Sequence, residues 1–315
     1  MSARVEPERL LRELAQVWVQ LGQKEENGVL RACAQTLITA IDESYDPMTI
    51  GETLAALMPE HPSRSIVVRL RCDAPQQDIS ARVWAQCWMP FGRRQQICCE
   101  QIEITAGAQA AADVGRLITG LLAADLPVAL YAPVAGLLRL PGFERIVELA
   151  GKVIVDSRSG GWPTLRWLAE LPDSIRRADL AWAAITPWRE TIAQLVLEDA
   201  PALLGGQVIV CWVGEQMPTT AAYLAAWLEA ELQRQAPGAQ PLVVKIETPT
   251  AVAAVRQADH NTLEVQLNDS LRRLLVPEAS DYRLLREELA IWGRDVIFEK
   301  ALRLVAERFS ASAGP

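Results

Sequence analysis

Residues 95–131, QQICCEQIEITAGAQAAADVGRLITGLLAADLPVALY, constrain the fold more than any other stretch. Gln96 to Ile104 reads as a strand that runs into a Gly-containing turn. A helix follows, on which Val114, Leu117, Ile118, Leu121 and Leu122 recur at spacings of three and four. Asp125-Leu126-Pro127 then leads into a short apolar strand, Val128 to Tyr131. Strand, helix and strand within about forty residues predict a βαβ crossover and a parallel sheet, because parallel neighbours need a connection of that length.

The flanking sequence extends this α/β pattern. Pro7 to Leu21 predicts a helix with Leu10, Leu14, Val17 and Leu21 on one face. Val29 to Ile41 holds a strand in its C-terminal part, and Asp46-Pro47 opens a second helix. Ile66 to Leu70 and Ile79 to Trp88 alternate as strands; the alternation slips between Cys98-Cys99 and Ile102, which predicts a bulge. Val153 to Val155 reads as a short buried strand. Regular alternation stops at Leu171-Pro172-Asp173, so two mixed α/β domains are expected, 1–171 and 172–315, with largely central sheets flanked by helices. The second half adds strands at 207–213, 242–247, 251–257 and 262–267, an Ala-rich helix over 219–233, and one long helix over 281–309. Residues 29–122 and 207–309 share the order β-α-β-β-β-α, the pattern of a duplicated unit.

Composition excludes several functions. The net charge of −8 argues against duplex nucleic acid or an anionic membrane as main partner, since both need a basic footprint. No apolar run reaches the roughly 18–20 residues of a membrane span, and the first residues lack a signal peptide's apolar core, so a cytoplasmic protein is expected. The six cysteines form no CxxC and only two histidines are present, which makes a zinc site of standard spacing a poor fit. Free thiols are expected, packed as small hydrophobes. No cofactor is expected, because neither a P-loop nor GxGxxG occurs.

Three constellations stand out. Asp156-Ser157-Arg158-Ser159-Gly160-Gly161 follows a strand and precedes a helix, where backbone N–H groups can meet an anion and Arg158 adds charge. The same residues also suit a tight connection with a capping serine. His61, Ser63 and Arg64 could read a phosphate, or simply shape a turn. Trp182, Trp188 and Arg189 are types that anchor protein interfaces, and equally types that pack helices onto a core. Glu100 and Glu103 suit solvated or ion-paired roles better than a catalytic pair.

Several motifs in order resemble the glucose-6-phosphate dehydrogenase assembly protein family, OpcA. They are His61-Pro62-Ser63-Arg64 into Ser65-Ile66-Val67-Val68, Cys98-Cys99-Glu100-Gln101-Ile102, Asp125-Leu126-Pro127-Val128 and Val153-Ile154-Val155-Asp156-Ser157. Asp179-Leu180-Ala181-Trp182 through Thr186-Pro187-Trp188-Arg189-Glu190 completes the set. The resemblance implies a non-catalytic partner of glucose-6-phosphate dehydrogenase in a hetero-oligomer, promoting its assembly or activating it allosterically. On that reading Trp182, Trp188, Arg189, His61 and Arg64 are the candidate contact residues. The competing expectation is a sugar-phosphate-binding sensor or enzyme that uses Asp156 to Gly161.

Overall fold

A computed structural model of the chain describes residues 5–24, 28–72, 78–92, 94–198, 207–212, 216–232, 243–247, 252–259 and 261–308. The polar turn expected over 73–78 lies outside them except for Asp78. So do Val213, Gln233, Leu242, Ala251 and Phe309 at the ends of expected elements.

The first sheet is built from β1 (Val29–Arg31), β2 (Gln35–Ile41), β3 (Ser63–Arg71), β4 (Ser80–Trp88), β5 (Gln96–Gly107), β6 (Val128–Ala132), β7 (Lys152–Val155) and β8 (Arg176–Asp179). Its order is β4-β5-β3-β2-β6-β7-β8, and β1 shares with β3 the edge of β5 opposite β4. All pairs are parallel except β4 with β5. Every residue of the central β2 is buried, as expected when helices cover both faces of a parallel sheet.

Alternation assigns the two faces. Ile38, Ala40, Ile66, Val68, Ile102, Ile104 and Leu130 point to one side. They meet α1 (Pro7–Lys24), α3 (Ala111–Thr119), α4 (Glu144–Val147) and α5 (Ser157–Glu170). Leu37, Ile41, Val67, Ala129, Tyr131 and Ile154 point to the other side, under α2 (Pro47–Leu57) and α9 (Asp281–Ala290). On α3, Val114, Leu117 and Ile118 are buried as the spacing predicts. Each such side chain contributes roughly 1.5–3 kcal/mol.

The bulge expected in β5 is absent: β4 and β5 pair in unbroken register from Ser80↔Thr105 to Trp88↔Ile97. The apolar pattern slips because Glu100 occupies the α1-side face at 2% exposure. Arg64 Nε donates to its Oε2 at 2.7 Å and Trp18 Nε1 to its Oε1 at 2.9 Å, while Arg31 Nη2 lies 2.7 Å from Oε1. A carboxylate can sit in a core when its charge and lone pairs are met in this way. Nor are all thiols free. Cys87 and Cys98, opposite each other across β4 and β5, form a disulfide.

The remaining elements are α6 (Leu180–Ala184), α7 (Thr186–Glu198), α8 (Thr219–Leu232), α10 (Val296–Arg308) and a second sheet. That sheet runs β13 (Ser270–Leu275), β12 (Thr262–Leu267), β11 (Val252–Asp259), β10 (Val243–Glu247), β9 (Gln207–Val210), all antiparallel. The two halves therefore share an element order but not a pairing, one being parallel and the other antiparallel, so they are not copies of one unit. β8 lies beyond the expected boundary at 171/172 yet completes the first sheet. The single long helix expected over 281–309 is two helices. Ile291 leaves helical geometry at φ −112°, ψ 104°, and the Asp295 side chain accepts from Phe298 N–H at 2.9 Å to start α10.

Among the described residues, no helix is long and apolar enough to cross a membrane.

Candidate functional site: the crevice at the sheet's switch point

The chain walks outward from β2 to β3 to β5, then returns through α3 to β6 on the other side of β2. The order β5-β3-β2-β6-β7-β8 is that of a doubly wound sheet of two mononucleotide-binding halves, and ligands in such sheets bind where the strand order reverses. Here that place lies past the carboxyl ends of β2 and β6.

The residues after β2 do not suit a phosphate. Asp42-Glu43-Ser44-Tyr45-Asp46-Pro47 is acidic and has no glycine. Asp46 caps α2, accepting from Met48 N–H at 3.0 Å. A carboxylate therefore already meets the helix end where a nucleotide's phosphates would bind in this architecture.

Past β7, Asp156 caps α5 by accepting from Arg158 N–H at 2.9 Å. The Arg158 guanidinium folds back onto the same carboxylate, with Nε to Oδ1 at 2.9 Å and Nη2 to Oδ2 at 2.8 Å. It also donates to Asp281 Oδ1 at 2.7 Å and to Ala279 O at 2.8 Å. Burial alone would make Arg158 easier to deprotonate, but Asp156 and then Asp281 outweigh it and hold the guanidinium charged. Asp281 Oδ2 accepts from the Tyr45 hydroxyl at 2.9 Å. Burial, and then the Asp281 charge, push the Tyr45 pKa up to about 12. The Tyr131 hydroxyl is buried beside them and is raised far above its ordinary value, by burial first and by Asp281 next.

One turn deeper, Asp179 ends β8 fully buried. It accepts from Ser157 N–H and Ala181 N–H at 3.0 Å each, and from the Tyr223 hydroxyl at 2.9 Å. Burial raises its carboxyl to about 6, and these donors hold the rise in check. The N–H groups of Ser157 and Arg158, which could have faced an external anion, thus meet carboxylates of the chain itself.

The remainder of the loop is shaped by packing. Ser159 Oγ donates to Asp156 O at 3.3 Å. A Cβ on Gly160 would meet the Thr164 side chain, and Gly161 takes φ 60°, ψ −155°, kinking α5.

The lid over this crevice is α9, fastened at both ends to the strand beneath. Arg158, just past β7, holds Asp281 in its first turn. Lys152, which begins β7, donates through Nζ to Glu288 O at 2.6 Å, Ile291 O at 2.9 Å and Glu288 Oε2 at 2.9 Å. An acid at a helix N-terminus and a cation on its last carbonyls both oppose the helix dipole favourably.

The other sequence candidates lie elsewhere. Trp182 is 3% exposed and Trp188 6% exposed, both in the main core. Arg189 stacks on the Trp182 ring at 3.7 Å, donates to Thr186 Oγ1 at 2.9 Å and is partly buried, which makes its cation easier to deprotonate. Arg64 is buried against Glu100, while His61 is partly exposed before β3. The structure therefore brings Arg64 to Glu100 and Arg189 to Trp182, and does not gather the five into one patch. Sequence reasoning missed Tyr45, Tyr131, Asp179, Tyr223 and Asp281. Only Asp179 carried a local signal, an Asp at the start of a helix.

Burial raises the thiol of Cys99 to about 11 and that of Cys33 above its usual value, so neither is an activated nucleophile. Among the described residues, no cluster of histidine, cysteine or acidic side chains could hold a metal ion.

Residues 54–170 match the family described as glucose-6-phosphate dehydrogenase subunit N-terminal domain, and residues 175–302 match its C-terminal counterpart. The putative OxPP cycle protein OpcA of Synechocystis sp. is 27% identical over 175 residues. The match takes in 53% of this chain and 35% of that protein, so the chain spans about a third of that curated relative's length. Among solved structures, the WlbA (WbpB) dehydrogenase from Thermus thermophilus, in complex with NAD and UDP-GlcNAcA, has a TM-score of 0.44 at 11% identity. That comparison covers 86% of this chain and 94% of that one. With both of the family's domains matched in order, the chain belongs to the OpcA family.

Proposed function

We propose that this chain is a non-catalytic subunit that binds glucose-6-phosphate dehydrogenase and promotes its assembly or shifts it toward an active state. One observation carries this reading beyond the family's description. The crevice where a doubly wound sheet would take a ligand is filled by the chain's own Tyr45, Asp156, Arg158 and Asp281, each meeting another in the set. A subunit acting by contact needs differential affinity for two states of its enzyme, not a reaction centre.

Among the five residues expected at the contact, Arg189 and His61 are partly exposed and remain its candidates. Trp182, Trp188 and Arg64 support the fold behind them. A sugar phosphate at Asp156 to Gly161 would have to displace Asp156 and Asp281 from Arg158, which makes it the weaker reading.

The test mixes the purified chain with its cognate dehydrogenase and follows both mass by light scattering and turnover. A complex with altered kinetics is the expected result; an unchanged mass and rate would end the proposal. Calorimetry of the chain alone with glucose 6-phosphate and 6-phosphogluconate should give no heat. Binding lost on Arg158→Ala would favour the sugar-phosphate reading instead.

A further inference from the structure

The outermost strand of the second sheet is unlike every other strand in the chain. β13, SLRRLL, ends the order β13-β12-β11-β10-β9, and no described strand pairs with its other edge. All six residues are exposed, including Leu271 at 55% and Leu275 at 86%. Long edges with apolar side chains invite pairing, and proteins usually blunt or cover them.

Behind the edge lies a cavity of about 320 Å³ between α7 and the hairpin. Thr191 and Leu195 of α7 form one wall, Val265 and Leu267 of β12 the floor, and Arg272 and Leu274 of β13 the lip. Register explains the lip: Arg272 and Leu274 pair with Val265 and Leu263, so they share the inward face of the sheet. An open strand edge beside a groove that takes alternate side chains is the geometry of strand addition. Main-chain bonds supply affinity in that mode, and pockets supply selectivity.

Charge selects the occupant. β13 carries Arg272 and Arg273 and no acid, in a chain of net charge −8. A second copy is disfavoured: every antiparallel self-pairing that aligns five or six of these residues sets an arginine opposite an arginine. Like charges directly opposed across a ladder are destabilising. An extended segment with an acid against Arg272 and an apolar side chain beside Leu274 satisfies both.

The geometry points to β13 as the dock for such an acidic, apolar-alternating segment of the dehydrogenase, which pairs with it as a sixth strand; this rests on the function proposed above. The contact adds a strand to the sheet and fills the groove under Leu195 and Leu267.

The test uses the whole chain and its cognate dehydrogenase. Hydrogen exchange at the amides of 270–275 should slow in the complex, and Arg272→Glu and Leu275→Asp should each weaken binding about tenfold or more. Leu275 is exposed enough that its variant should melt as the wild type does. A wild-type complex with unchanged exchange over 270–275 and full affinity in both variants overturns the dock and leaves the subunit role standing. Absence of any wild-type complex overturns both. A dimer of the chain alone that Leu275→Asp dissolves would give the edge to a second copy and also overturn the proposal.

Discussion

The two sheets meet the same problem, unpaired polar groups and exposed apolar side chains, in opposite ways. The parallel sheet is enclosed, and its charged insertions meet partners inside: Glu100 with Arg64, Arg158 with Asp156 and Asp281, Lys152 with the end of α9. The antiparallel sheet buries one side and ends in a strand exposed along its whole length. Burial forces a sheet to satisfy itself, whereas an open edge can be satisfied by something else. The difference separates the part of the molecule that holds its shape from the part able to meet a partner.

Arg64→Ala should break that contrast most sharply. It strands the Glu100 carboxylate in the core and is expected to cost about 3–5 kcal/mol in denaturant unfolding. A loss below about 1 kcal/mol would show that water reaches Glu100 and that the first sheet is less enclosed than described. Arg158→Ala should cost less, about 1–3 kcal/mol, because the site is partly open to solvent. It should also speed exchange at the first turn of α9, since Asp281 loses its cation; unchanged exchange there would mean the lid is held by apolar packing alone.

A pH experiment sharpens the comparison further. Burial raises Asp179 to about 6, so between about 4 and 6 the folded chain keeps a proton that the unfolded chain has released. Stability contributed by this group is therefore present below about 4 and lost as pH rises through about 6. Asp179→Asn should flatten the fall of Tm across that window, and an unaltered slope would remove Asp179 as its cause. The smallest effect belongs to the open edge: Leu275→Ser should change unfolding free energy by less than about 0.5 kcal/mol. A larger loss would mean that β13 is part of the core after all.

Much of the first sheet was legible from periodicity. The stretch from Gln96 to Tyr131 gave strand, helix and strand within a few residues of their true ends, because α3's buried face and β6's apolar run leave direct traces. β13 left none: SLRRLL has no alternation, since neither of its faces is buried. The bulge expected at Cys98-Cys99 was misread for a related reason. A paired carboxylate at Glu100 imitates a shift in register when only polarity is visible.

The crevice was half legible. Asp156 to Gly161 was visible as a strand-to-helix loop with a cation, but what that cation meets was not. Asp281 lies 123 residues from Arg158 in sequence, and no local pattern links them.

The sequence alone determined the alternation of strands and helices, the crossover chirality open to a parallel sheet and the absence of a nucleotide loop, because each depends on neighbours along the chain. Tertiary structure alone decided the strand order, the closing of the crevice by α9, the burial of Trp182 and Trp188, and the edge left open at β13. Those depend on which distant surfaces exclude water from one another, and burial is a property of the folded arrangement rather than of any residue within it.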